Sequence, residues 1–320
     1  MPPLPEFSRL HALVRQAKKI LLIADGKPDG DSLGSSSGFL NWLLREGKTA
    51  QAYCAAPIPK AFSYLDGIHL FRNDAATFHE AWDLVITFDA GDLRHCGVET
   101  LLPQIPGTFT LVNIDHHATN ARYGQLNLVY VDTCSTCEVV YRFLTAEELR
   151  LDPAIATSLL TGVLTDTSSF SNSATTSPGI EAASVLTAAG ARTNEIYHHL
   201  LQNKTMNGLK LWGLALSRLR FHKSYNLVTT YFFAKDLEGA GEDAVEGVSN
   251  FLNASCGEAD TMLVLRELPN GQIKGSFRSA KRDISKIAKL LGGGGHKKAA
   301  GFTINGRLEE SNGQVKVVAT

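Results

Sequence analysis

Asp29-Gly-Asp31, with Asp25 four residues earlier, puts three carboxylates within seven residues of one another. Carboxylates crowded this way repel unless a cation sits among them, and a divalent metal is the natural partner. The competing reading is a solvated acidic turn in which Ser32 caps a following helix. Asp89-Ala-Gly-Asp92 and Asp115-His116-His117 add further ligand types. Adjacent histidines on extended backbone point to opposite sides, so one can bind a metal while the other faces a substrate or holds the loop. Asp166 ends a helical pattern, where the helix dipole disfavours an acid; that mismatch points to a ligand role. Together the acids and His116 supply enough oxygen and nitrogen for two metals. Gly30 is read as allowing a tight turn, and Gly34-Ser35 as letting the helix start lie close to a ligand.

The second half carries Gly292-Gly293-Gly294-Gly295-His296. Four successive glycines suit neither a helix nor a good strand. Their conformational cost makes sense where backbone amides must approach a ligand, such as a phosphate or base. Arg278, in Ser276-Phe-Arg-Ser279, suits phosphate or carboxylate recognition by its fork geometry, although a solvated strand-end charge is an equal reading. Cys134-x-x-Cys137 lacks a second pair to complete a zinc site and reads as two small residues at a helix start. His198-His199 reads as surface or packing. Tyr53, Phe170 and Tyr231 could stack on bases, but their types do not separate them from core aromatics.

The elements that must position these groups are legible as short apolar runs alternating with helical patterns. Residues 19–24, 83–88, 109–114 and 126–131 read as buried strands, each followed directly by an Asp. Helical patterns fall near 33–46, 135–147, 153–165 and 177–190. This alternation predicts an α/β fold with a parallel sheet and helices on both faces, and ligands beyond the carboxyl ends of the strands. Past a connection around 190–220, strands are expected at 225–233, 261–268 and 272–278, with helices at 244–252 and 283–290. Leu268-Pro-Asn-Gly-Gln272 is a hairpin signal. The expected organisation is a catalytic domain over 1–195, a linking helical region over 196–220 and a smaller mixed α/β domain over 221–320.

The chain has 320 residues, 44% hydrophobic and 20% charged, with a net charge of −1. That balance argues against a protein tracking long nucleic acid by a wholly basic surface. Apolar stretches fall far short of the ~18 residues of a membrane helix. The N-terminus lacks the layout of a signal peptide, so a cytoplasmic protein is expected. Five cysteines do not suggest a disulfide framework. The near-zero charge is a cancellation: residues 274–298 hold eight Lys and Arg against the single acid Asp283.

Asp29-Gly-Asp31, Asp89, Asp115-His116-His117 and Asp166 come in the order of the DHH phosphoesterase superfamily, and Gly292 to His296 followed by Ala299-Ala-Gly301 resembles the glycine loop of its DHH-associated domain. The surroundings Ser135-Thr136-x-Glu138 and Thr165-Asp-Thr167 are similar too. The resemblance covers essentially the whole chain, and within the superfamily it is to oligoribonucleases of the nanoRNase type, which also dephosphorylate 3′-phosphoadenosine 5′-phosphate (pAp). It implies hydrolysis of very short oligonucleotides, dinucleotides such as pApA included, by two-metal activation of water, typically with Mn2+ and alternatively Mg2+. It assigns Asp25, Asp29 and Asp89 to a first metal, and Asp31, Asp89, His116 and Asp166 to a second. His117 would contact the scissile phosphate or assist the leaving oxygen. Ser276, Arg278, Gly293, Gly294, Gly295 and His296 would hold the substrate in a cleft between the domains of a monomer or homodimer. Long nucleic acid and membranes are not expected partners. The family usually has His where this chain has Asp25. That departure supports an alternative, a nucleotide-binding sensor or weak enzyme with an altered first metal site.

Overall fold

The branched apolar runs fold as the buried strands that their composition calls for. A computed structural model describes residues 4–200, 205–240, 242–245, 247–311 and 314–318, and the chain divides into two compact units, residues 1–203 and 204–320. In the first unit α1 (Pro5–Gln16), β1 (Lys19–Ile23), α2 (Gly30–Arg45), β2 (Thr49–Tyr53), β3 (Phe71–Arg72), β4 (Leu84–Phe88), β5 (Thr110–Asp115) and β6 (Leu126–Val129) precede four helices. These are α3 (Thr136–Ala146), α4 (Pro153–Asp166), α5 (Ser177–Ala188) and α6 (Thr193–Leu200). The described strands form one parallel sheet in the order β3-β2-β1-β4-β5-β6.

Alternate residues of β1, β2, β4 and β5 enter different cores. Ile20, Leu22, Ile86 and Val112 pack with Leu10, Phe39, Phe143 and Leu159 of α1–α4. Leu21, Ile23 and Val85 face the other way, onto Phe78, Trp82 and Leu102. The second face is covered by segments that include short 3-10 turns at Ala75–His79 and Leu102–Gln104. From β1 the chain runs outward to β2 and β3, then returns to build β4, β5 and β6 on the other side. Loops leaving β1 and β4 therefore diverge, and a crevice opens beyond their carboxyl ends. Asp25 and Asp89 leave the two strands that flank it.

The start of α2 differs from the sequence expectation. Its cap is Asp29, whose Oδ1 accepts the amides of Asp31 and Ser32 at 3.0 Å each, while Ser32 Oγ accepts the Asp29 amide at 3.1 Å. Ser32 is thus the reciprocal partner in a capping box, and the helix begins three residues earlier than its apolar periodicity suggests.

The second unit contains α7 (Met206–Ser217), β7 (Arg220–His222), β8 (Leu227–Phe232), α8 (Val248–Ser255), β9 (Thr261–Leu268), β10 (Gln272–Ser279), α9 (Ser285–Leu290), β11 (Gly294–His296), β12 (Ala299–Asn305), β13 (Arg307–Ser311) and β14 (Gln314–Val318). A mixed sheet has the order β11-β12-β10-β9-β8-β7, and β13 pairs with β14. Asn270-Gly271 makes the β9–β10 turn, with Gly271 at φ 73°. The connection expected over 196–220 is divided. Ile196 of α6 joins the first unit's core, whereas Leu211 and Ala215 of α7 pack with Val228, Phe232 and Met262 of the second. Residues 201–204 lie outside the described residues.

Candidate active site

Close packing of α2 on α4 brings the first acids together. Gly30, Gly34 and Gly38 form a stripe of helical spacing along α2. A Cβ at Gly34 would lie 2.4 Å from Ser158 O, and one at Gly30 2.4 Å from Thr165 Cγ2. Gly162 answers from α4: its Cβ would lie 2.6 Å from Asp31 Oδ1. Gly30 and Gly34 therefore serve helix contact, a correction to their reading as turn and ligand-approach residues. The contact places Asp31, in the first turn of α2, near Asp166 at the end of α4.

His116 reaches the same point from the loop after β5. Its Nε2 lies 3.2 Å from Asp166 Oδ2, 3.7 Å from Asp89 Oδ1 and 3.9 Å from Asp31 Oδ2. That ring nitrogen is buried and has no contact of hydrogen-bond geometry, Asp166 being the nearest of the three acids. Asp31 is 0% exposed and Asp89 7%. Asp89 holds φ at 60°, left-handed backbone that is uncommon outside glycine and is found at sites that over-determine it. Asp31 is tied to the start of α3, where its Oδ2 accepts the Thr136 amide at 2.6 Å and its Oδ1 the Cys137 amide at 2.8 Å. Thr136 Oγ1 donates to Asp89 Oδ1 at 2.9 Å.

His117 does not take the side opposite its neighbour, because the strand has already ended at Asp115: the two rings stand edge to face with centroids 4.5 Å apart, and 47% of the His117 side chain is exposed. Asp115 orients it, its Oδ1 bonding His117 Nδ1 at 2.8 Å. Asn120 steadies that acid from the other side, donating to Asp115 Oδ2 at 2.5 Å and to Ala90 O at 3.0 Å. Asn120, Thr136 and Cys137 were not singled out as site residues from sequence. For Thr136 a signal exists, since Ser135-x-x-Glu138 marks a helix start with free amides. Asn120 lies in an irregular loop and leaves no spacing signal.

The electrostatics call for a cation. Burial, and then the charge of Asp166, raise the Asp31 carboxyl. Burial and the Asp31 and Asp29 charges raise Asp89 well above the usual range. Burial also raises Asp25, against the hydrogen bond from the Lys27 amide. Desolvation alone would lower His116, but the Asp166 and Asp31 carboxylates push it up to about 9. Burial would likewise raise Asp115, yet hydrogen bonds from His117 and Asn120 hold it below the usual range. The His116 nitrogen, facing the carboxylates of Asp31, Asp89 and Asp166, belongs to a donor set that fits a divalent ion.

Among the described residues, Asp31, His116 and Asp166 form one group of ligand atoms within 4.8 Å of one another, and Asp89, His116 and His117 form another. In the second group the Nδ1 of His117 is already engaged by Asp115. Asp25 and Asp29 stand in neither group.

In the second unit the glycine run is partly a strand, contrary to the expectation. Gly294, Gly295 and His296 pair with Gly301, Ala300 and Ala299 of β12. A Cβ at Gly293 would lie 2.1 Å from Gly301 O, and one at Gly295 2.6 Å from Ala299 O, so close backbone approach requires both glycines. Gly294 meets nothing within 4 Å. Ser276 and Arg278 of β10 pair with Gly301 and Ala299, which puts Ser276, Arg278 and Gly294 at register positions on one face. Arg278 Nε donates to Asn250 Oδ1 at 2.6 Å and a terminal nitrogen to Phe277 O at 2.8 Å; among the described residues no carboxylate pairs with it. Burial lowers its pKa.

The remaining candidates are structural. Cys134 and Cys137 are free and buried at the start of α3. His199 stacks on Tyr64 with ring centroids 4.7 Å apart. Tyr53 and Tyr231 are core residues, and Phe170 packs against the main core.

Residues 19–163 match the DHH family, N-terminal domain, and residues 229–317 the DHHA1 domain. The chain is 32% identical over 282 residues to the bifunctional oligoribonuclease and PAP phosphatase NrnA of Thermus thermophilus, covering 87% of this chain and 82% of that protein. It is 29% identical over 293 residues to the Bacillus subtilis protein of the same name, covering 89% of each. Among solved structures, an exopolyphosphatase-related protein from Bacteroides fragilis shares the fold, with a TM-score of 0.84 at 22% identity and coverage of 93% and 90%. On these matches, and with its acids and histidines gathered at the switch point of a parallel sheet, the chain belongs to the DHH family of phosphoesterases.

Proposed function

We propose that the chain hydrolyses the phosphodiester of very short oligonucleotides, dinucleotides such as pApA included, and removes the 3′-phosphate of pAp. The observation that carries this reading is His116 Nε2, buried without a hydrogen-bond partner among Asp31, Asp89 and Asp166. The names of the relatives support the substrate class. Asp31, Asp89, His116 and Asp166 would hold one divalent ion; Asp25 and Asp29, sharing Asp89, would hold a second, with Mn2+ or Mg2+ as the ions. When bound, these cations neutralise phosphate charge and acidify water.

The side chains do the rest. Asp115 engages the Nδ1 of His117 and leaves its Nε2 as the nitrogen that can pass a proton to the leaving oxygen. The Asp115 hydrogen bond also raises the His117 pKa, which favours the protonated ring such a donor needs. Arg278, fixed by Asn250 and without a carboxylate partner among the described residues, would bind a substrate phosphate in a fork. Ser276, the amides of Gly293, Gly294 and Gly295, and His296 would complete that grip.

A length series of 5′-labelled RNA from two nucleotides upward, with Mn2+, tests the reading. The expected result is a sharp preference for dimers. Cleavage of long strands at the same rate would overturn it.

A further inference from the structure

Asp31 and Asp89 come from opposite sides of the switch point, one on the segment after β1 and the other on the loop after β4. Both are buried, and their charges repel. Something must hold them together before any cation arrives. We infer that Thr136 is a positioning residue for the metal-holding carboxylates, tying Asp31 by its amide and Asp89 by its hydroxyl to the first turn of α3. The inference rests on the reading of these two acids as metal ligands.

The first amides of a helix have no partner within it, and that end is positive. Asp31 takes up two of them, those of Thr136 and Cys137, with one carboxylate. The Thr136 hydroxyl has a single proton, and it goes to Asp89 Oδ1 at 2.9 Å. That same oxygen lies 3.7 Å from His116 Nε2 and 3.7 Å from His117 Nδ1, so the hydroxyl fixes the oxygen on which the two candidate groups converge.

The neighbouring hydroxyl, on Ser135, serves as the helix cap and accepts the Glu138 amide at 3.0 Å. Glu138 in turn accepts the Cys134 amide and pairs with Arg142, which braces the turn from behind. A β-branched side chain is stiff at χ1, so threonine holds its hydroxyl direction better than serine does. Thr136 is 0% exposed and acts through the two acids.

Calorimetric titration of the metal-stripped full chain with Mn2+ tests this, alongside melting temperatures in chelator. Thr136→Val, which keeps the amide and the shape, is expected to weaken Mn2+ binding about 10–100-fold, the usual loss on removing a group that orients a ligand. Its melting temperature in chelator should fall little, and Thr136→Ser should restore affinity to within a few-fold of wild type. Wild-type affinity in Thr136→Val would overturn the inference while leaving the metal reading intact. A wild-type chain that takes up no Mn2+ would overturn the metal reading and this inference with it. Should the valine variant fail to fold by circular dichroism, Thr136→Ala against Thr136→Ser makes the same comparison, and equal affinities overturn the inference.

Discussion

On the proposed ligand set, Asp25 would decide the charge of the site. With it, five carboxylates (Asp25, Asp29, Asp31, Asp89 and Asp166) would surround two divalent ions, one negative charge in excess. A histidine at that position would leave the set neutral and add a nitrogen ligand. An all-oxygen first site favours hard ions such as Mg2+ and Mn2+, whereas imidazole favours Co2+ and Zn2+. Asp25→His is therefore expected to shift the preference toward Co2+ and Zn2+ and to strengthen substrate binding, since the excess charge opposes an anionic phosphate. Metal titrations and metal-dependent rates for the two proteins check this. Equal cobalt or zinc affinity at both sites of the wild type would contradict it. Two tightly held ions and rapid turnover in the wild type would dispose of the alternative sensor reading.

At the scale of elements, the glycines separate into those the fold requires and those it leaves open. Gly293→Ala forces a methyl group onto Gly301 O and should cost the second unit about 1–3 kcal/mol, the usual price of overpacking. Gly294→Ala meets no neighbour within 4 Å and should leave stability unchanged, yet raise KM if a phosphate lies against that backbone. Urea unfolding and steady-state kinetics distinguish the two. A run of glycines in a sequence shows only that close approach is needed somewhere. It took the pairing of β11 with β12 to show that Gly293 and Gly295 approach their own chain. The stripe on α2 makes the same point, because Gly30 and Gly34 yield space to α4 rather than to a ligand.

At the scale of the molecule, the acidic cluster makes stability depend on metal and pH together. His116 has its pKa raised from 6.5 to about 9, so it takes up a proton more readily folded than unfolded. Its contribution is complete below pH 6.5 and lost as pH rises toward 9. The raised pKa values of Asp31 and Asp89 act in the same direction, beginning above the ordinary carboxyl value of 3.8. Asp115, held low, has its contribution in place throughout that window. In chelator, the melting temperature should fall between pH 6.5 and 9. With Mn2+, which binds the deprotonated ligands, the gap between loaded and stripped protein should widen. Thermal scans at several pH values check both; a flat or rising profile in chelator would contradict the protonated cluster.

The sequence alone carried the α/β class, the strands leading to Asp25, Asp89 and Asp115, and the acids themselves. Apolar runs and clustered charges are local, and their physical meaning survives without coordinates. It did not carry β2, β3 or the C-terminal strands, which are short or less apolar, nor the cap at Asp29, which depends on which side chain reaches the free amides. Above all it could not show Thr136 and Cys137 meeting Asp31 across more than a hundred residues, or Asn120 bracing Asp115. Those contacts exist because α2 packs on α4 and α3 points its first turn at the switch point. The choice of chemistry was written in residue types, but the distances that make the chemistry available arise only when separate elements are packed against one another.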